Sequence, residues 1–211
     1  MSTYEPTSRT TALRKLDRMS YDRELVHSIL DEAWHCTLSF VVDGEPRALP
    51  TLHARVGETV YVHGSTGSRP LLTARGGGLR VCLTVTHLDA LVLARSQFNH
   101  SANYRSVAVH GVATLVTDPA DKLAALTAFV EKIGPGRSAH TRPPDDKEMA
   151  QTAVLALPLT EVSARQRVGG VGDDPEDLAL PYWAGLVPLR VERGVPEPDA
   201  GVTSPTPDYL F

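Results

Sequence analysis

The stretch Val60-Tyr61-Val62-His63-Gly64-Ser65-Thr66-Gly67-Ser68-Arg69 sets the reading of the chain. A short apolar run, readable as a strand, opens at once into a turn of glycines and hydroxyl residues and closes on an arginine. Such a turn is expected to expose backbone N–H groups, two or three hydroxyl donors and one fixed positive charge, a set that suits a phosphate monoester. Ser68 stands where an N-cap would start a short helix, with Pro70 near its first turn. The positive end of that helix would face the same anion. Residues of this kind also make ordinary strand-turn-helix junctions, so the rest of the chain has to decide.

Outward from that stretch the pattern is that of a meander. Cys36 to Val42 is β-rich, Asp43-Gly44-Glu45-Pro46 turns, Arg47 to Arg55 returns, and Val56-Gly57-Glu58 turns again into Thr59 to His63. A fourth strand is expected over Leu79 to Thr86, where Val81, Leu83 and Val85 alternate with Cys82 and Thr84. Leu91 to Ala94 reads as a short fifth, and Ser106 to Val116 as a sixth with Gly111 at a bulge or close approach. Ala153 to Ala164 reads as one last long strand that Pro158 demotes in part.

Helices frame these strands. Ser20 can cap one over Tyr21 to Ala33, with Leu25, Val26, Ile29, Leu30 and Ala33 on one stripe. Asp118-Pro119-Ala120-Asp121 starts another, whose apolar face is Leu123, Leu126, Phe129, Val130 and Ile133, and Gly134-Pro135-Gly136 stops it. A short acidic helix is expected near Lys147 to Thr152. The fold class that follows is mainly β with helices (α+β), a small antiparallel barrel of six strands decorated by helices.

Composition narrows the functional classes. The chain has 211 residues, 42% of them hydrophobic, and a net charge of −4 with acids and bases interspersed. One globular domain over 20–195 is expected, with an N-terminal arm over 1–19 and a flexible tail over 196–211. The charge balance argues against nucleic acid as a partner, and no run approaches the ~20 apolar residues of a spanning helix. No apolar leader follows Met1, which points to the cytoplasm. Cys36 and Cys82 lie far apart in apolar stretches and read as reduced, buried thiols. The eight histidines show no metal-ligand spacing.

The order of motifs resembles the FMN-binding split-barrel family, which contains pyridoxamine 5′-phosphate oxidase and the nitroimidazole-resistance flavoproteins. It is carried by Asp43 to Thr51, His63 to Arg69, Asn103-Tyr104-Arg105-Ser106-Val107 with Gly111, and Tyr182-Trp183-Ala184-Gly185, and it spans about residues 10–195. The resemblance implies a six-stranded split β-barrel, a homodimer and FMN in the groove between protomers. It implies that Leu49, Pro50, Thr51 and Leu52 run beside the isoalloxazine ring, that Ser68 and Arg69 hold the phosphate, and that His63, Gly64 and Ser65 belong to the cofactor set. Tyr104, Arg105 and Ser106 join the cofactor set. Trp183 would pack on the flavin of the other subunit. His63 would sit on the substrate side of the ring as the candidate catalytic group.

Two departures from the family pattern bear on function. The phosphate motif of the oxidase continues with lysine, whereas Pro70 follows Arg69, which leaves Ser65 or Arg105 to compensate. The oxidase's histidine-containing substrate clamp is replaced by Pro188-Leu189-Arg190-Val191, which argues against pyridoxamine phosphate as substrate. The expectation is an FMN-dependent oxidoreductase acting on an unidentified small molecule. The alternatives are a flavin-binding sensor or carrier without turnover, or a split barrel that holds F420 or haem.

Overall fold

The computed structural model describes residues 2–210. In chain order the strands are β1 (Met19–Ser20), β2 (His35–Val42), β3 (Glu45–Val56), β4 (Thr59–Ser65), β5 (Leu79–Leu93), β6 (Ser101–Leu115), β7 (Thr152–Pro158), β8 (Glu161–Arg167) and β9 (Gly185–Pro188). The helices are α1 (Arg23–Glu32), α2 (Arg69–Ala74), α3 (Pro119–Ile133) and α4 (Asp146–Gln151). The molecule is α+β, a mainly antiparallel sheet with a few helices.

The strands pair in the order β1-β8-β6-β7-β4-β3-β2-β5-β9, and β5 also pairs with β6. That extra pairing closes β5, β6, β7, β4, β3 and β2 into a circuit, which fits the split-barrel fold. Inside it lie Leu38, Val60, Leu83, Val85, Val107, Val109 and Leu155. Helix α1 adds Val26, Ile29 and Leu30, each fully buried. Burial of aliphatic side chains at about 1.5–3 kcal/mol each is the main force holding this circuit together.

Several expectations are corrected by long-range pairing. The fourth and fifth strands are one 15-residue strand, β5, broken by a register shift between Leu88 and Ala90. Before the shift, Val81, Leu83 and Val85 point inward; after it, Ala90 and Val92 do. A bulge reverses the inward parity, so one strand reads as two. The last long strand is instead the pair β7 and β8, because Pro158 ends β7 and Thr160 N–H closes a turn onto Pro158 C=O at 3.0 Å. The apolar tail contributes β9, which pairs with Ala90 to Leu93. Helix α1 is capped by Asp22, whose carboxylate accepts from Leu25 N–H at 2.9 Å, rather than by Ser20, which supports Asp22 from behind.

Other signals hold. Asp118 caps α3 by accepting from Ala120 and Asp121 N–H. Gly111 is a close-approach point, since a Cβ there would lie 2.9 Å from Leu157 Cδ1. Tyr4 is buried, with its hydroxyl 2.8 Å from a Glu58 carboxylate oxygen.

Candidate functional site

Strand β3 is paired on one side only for most of its length. Residues 45–52 pair with β2, but β4 meets β3 only over His53 to Val56. Leu49, Pro50, Thr51 and Leu52 therefore sit on an open strand edge, with Leu49 and Leu52 exposed. An open edge offers unpaired N–H and C=O groups to whatever lies beside it.

Next to that edge, β4 runs into the hydroxyl-rich turn. The turn is less open than its sequence implies. Thr66 N–H donates to Gln151 C=O, Ser68 N–H to Ser65 C=O, and Gly67 N–H to Ser65 Oγ at 3.3 Å. Three amides expected to face an anion are already taken, two within the turn and one by the end of α4. Ser68 occupies the N-cap position of α2 but makes no side-chain cap; its Oγ is buried without a partner. A Cβ at Gly64 would stand 3.5 Å from Ser68 Oγ and 3.6 Å from Leu71 Cδ2, in ordinary contact. A buried hydroxyl without a partner costs about 1–3 kcal/mol, and a ligand oxygen would relieve it. Arg69 is exposed, and its guanidinium makes no ion pair or hydrogen bond among the described residues. Arg75, which the sequence reading missed, reaches back to Thr66 C=O at 3.5 Å.

Arg105 is placed elsewhere. Its guanidinium is held by Glu32 at 2.5 and 3.0 Å and by Asp89 at 2.8 and 3.0 Å. These carboxylates raise the Arg105 pKa further, and the Arg105 guanidinium in turn holds the Glu32 carboxyl below the usual range. The expectation that Arg105 compensates for the missing phosphate lysine is therefore corrected: its charge is already neutralised. Ser106 Oγ donates to Arg165 C=O at 3.2 Å, and Tyr104 is half-buried opposite Leu88 and Arg167. The segment after β9 carries a second arginine, Arg193, stacked over Trp34 at 4.7 Å. Trp183 is 66% exposed. Its indole lies so close to Gly185 that a Cβ there would be 2.8 Å from the ring.

His63 opens onto a cavity that shares Leu52 with the β3 edge. Its ring lies edge-on to Phe129, with centroids 4.4 Å apart, on the wall of this cavity of about 830 Å³ under α3. Leu52, Leu126 and Val130 form apolar walls, and Arg137, Ser138 and Thr141 stand in the lining opposite. Burial lowers the pKa of His63, which keeps the ring neutral at pH 7. The apolar face expected for α3 is only partly used for the core. Phe129 is buried, but Leu123 is 38% and Ile133 53% exposed. Apolar residues at helical spacing that fail to be covered were the sequence signal for this cavity, legible only once the strands beneath are placed.

Thiol chemistry is not favoured. Burial pushes the Cys36 thiol up to about 12 and raises that of Cys82, which is half-exposed rather than buried. No helix among the described residues is long and apolar enough to cross a membrane.

Comparison with known proteins gives this geometry a family context. The family model described as pyridoxamine 5′-phosphate oxidase matches residues 22–166. The structure resembles the flavocytochrome Anf3 from Azotobacter vinelandii, with 39% identity, a TM-score of 0.91, and coverage of 98% of this chain and 97% of that one. It also resembles the FAD and heme binding protein from Mycobacterium smegmatis, with 37% identity, a TM-score of 0.86, and coverage of 92% and 95%. A Bacteroides thetaiotaomicron protein named for 5-nitroimidazole antibiotic resistance shares the fold at 17% identity and a TM-score of 0.59, over 70% of this chain and 86% of that one. No curated protein matches the chain.

Proposed function

The chain belongs to the pyridoxamine 5′-phosphate oxidase family, and within it we propose a flavoprotein oxidoreductase that works as a cytoplasmic homodimer and carries haem as well as flavin. What supports this reading is likeness over nearly the whole chain, at 39% and 37% identity, to proteins named for flavin and haem. The residues present fit a flavin. The open β3 edge at Leu49, Thr51 and Leu52 offers backbone partners to a polar ring edge, while Pro50 lacks a donor. Ser68 Oγ and the unpaired Arg69 guanidinium suit one phosphate. Exposed Leu49, Leu52 and Trp183 are the surface on which a second copy would close the groove. A bound flavin supplies the electron chemistry; the chain positions it and excludes water.

The flavin proposed is FMN, on the strength of one hydroxyl turn with one free arginine. The rival is FAD, which the mycobacterial relative's name contains. The substrate proposed is a small molecule other than pyridoxamine phosphate, because residues 188–191 hold no histidine. Mass spectrometry of the cofactor released from the purified protein is expected to show FMN. FAD would correct the flavin, and F420 or no flavin would overturn the reading. Anaerobic reduction by NADH or NADPH then separates an enzyme from a binder: absorbance that never bleaches favours a carrier or sensor. Arg69→Ala is expected to weaken FMN binding about 10- to 100-fold, the loss of one charge-assisted contact. Unchanged affinity would remove Arg69 from the phosphate site.

A further inference from the structure

We propose that the cavity under α3 is a haem site, with the His63 imidazole as an axial ligand to the iron and Arg137 facing the propionates. The proposal rests on the flavin-and-haem reading above and goes on to assign the place and the ligand, which that reading does not contain.

The assignment follows from asking which imidazole is free. His53 Nε2 is fixed 2.8 Å from Leu30 C=O, and His87 Nε2 is 3.0 Å from Ile29 C=O. His27 is held by Tyr4 and Glu58, and His100 Nδ1 lies 2.9 Å from Ser96 C=O. His110 sits 3.9 Å from Cys82 Sγ, and His140 stacks on Tyr209. His35 is exposed on another cavity, where the Glu32, Asp89 and Arg105 ion pairs stand beside Trp34, Leu88 and Leu189 and make the lining more polar. Among the described residues, His63 alone combines a cavity wall, partial burial and two ring nitrogens that no hydrogen bond engages; its Nδ1 is buried without a partner. Neutral imidazole is the usual nitrogen ligand of haem iron.

The cavity matches the rest of a haem. About 830 Å³ lies within the range of cofactor pockets. Leu52, Leu126, Phe129 and Val130 offer apolar contact to a flat macrocycle, and Leu123 and Ile133 extend that apolar surface to the rim. Phe129 fixes the plane of the His63 ring. At the polar side, Arg142 is already bound bidentately by Glu148, at 2.7 and 2.8 Å. Among the described residues the Arg137 guanidinium makes one hydrogen bond, to the Tyr209 hydroxyl at 3.2 Å, and no ion pair, which suits it to a carboxylate, with the Ser138 and Thr141 hydroxyls beside it.

The test is a haemin titration of the full-length, flavin-loaded protein, followed by the Soret band. Wild type is expected to bind one haemin per chain with a shifted, sharpened band. His63→Gly is expected to bind about tenfold more weakly or worse, to keep its flavin bands, and to regain the wild-type spectrum when imidazole is added. His63→Met, which keeps a ligand but a softer one, is expected to move the band. His35→Ala is expected to match wild type. An unchanged band and affinity in both His63 variants would overturn the site, as expected if His63 serves only on the substrate side of the flavin, and would leave the haem reading standing. A wild-type protein that takes up no haemin would overturn both.

Discussion

Helix α3 covers two histidines on neighbouring strands, and the chain treats them in opposite ways. Lys132 lies 3.1 Å from His53 on β3, while Phe129, one turn earlier, sits on His63 of β4. His53 is fully buried, and its Nε2 and Lys132 Nζ share Leu30 C=O as acceptor, each at 2.8 Å. His63 is half-buried and engages nothing through its nitrogens. Residue type and covering helix are the same; what differs is whether a carbonyl stands opposite the ring. The C-terminal turn of α1 supplies one for His53. The strand beneath His63 supplies none, and a cavity remains. A histidine in a fold becomes available to a ligand when no backbone group has already claimed it.

The largest expected effect separates the two by stability. His53→Ala removes a buried ring and leaves Lys132 without its neighbour, so unfolding in urea should show a loss of about 3–4 kcal/mol. His63→Ala, without ligand, should stay within about 1 kcal/mol, because the lost Phe129 contact is offset by relief of the unpartnered nitrogen. Equal losses would erase the distinction.

A smaller effect appears with pH. Burial, then the Lys132 charge, lowers His53 to about 4, and burial lowers Lys132 to about 8. The unfolded chain takes up a proton on His53 near pH 6.5, and the native chain does not until about 4. Stability from this group is therefore full above pH 6.5 and is lost as pH falls towards 4, by up to about 3 kcal/mol. Lys132 carries the same sign in a higher window: native stability improves as pH rises from about 8 to the usual lysine value. Urea midpoints measured from pH 4 to 10 should show both limbs in wild type. The acid limb should shrink in His53→Ala and the alkaline limb in Lys132→Met, while His63→Ala should keep both. A flat profile in wild type would remove the buried pair from the account.

The contrast also marks how far the sequence reaches. The β meander, the Asp118 cap, the close approach at Gly111 and the family resemblance are all carried by local patterns, and they place His63 beside the turn. Partners are not local. Leu30 meets Lys132 across 102 positions, and Glu32 claims Arg105 across 73. No local pattern shows that Arg105 is neutralised, that the Thr66, Gly67 and Ser68 amides are already taken, or that the bulge at Leu88 joins two apparent strands. The α3 stripe was legible as apolar, yet whether it meets a core or a cavity depends on how β3, β4 and β7 are placed beneath it.

The most direct measurement of the central claim is the change in urea midpoint that haemin produces in His53→Gln and in His63→Ala. A ligand that binds only the native state stabilises it by about 2.7 kcal/mol at a hundredfold excess over Kd. The account predicts that His53→Gln, though less stable at the outset, keeps the full haemin-linked gain of wild type, and that His63→Ala loses most of it. A gain retained in His63→Ala and lost in His53→Gln would contradict it.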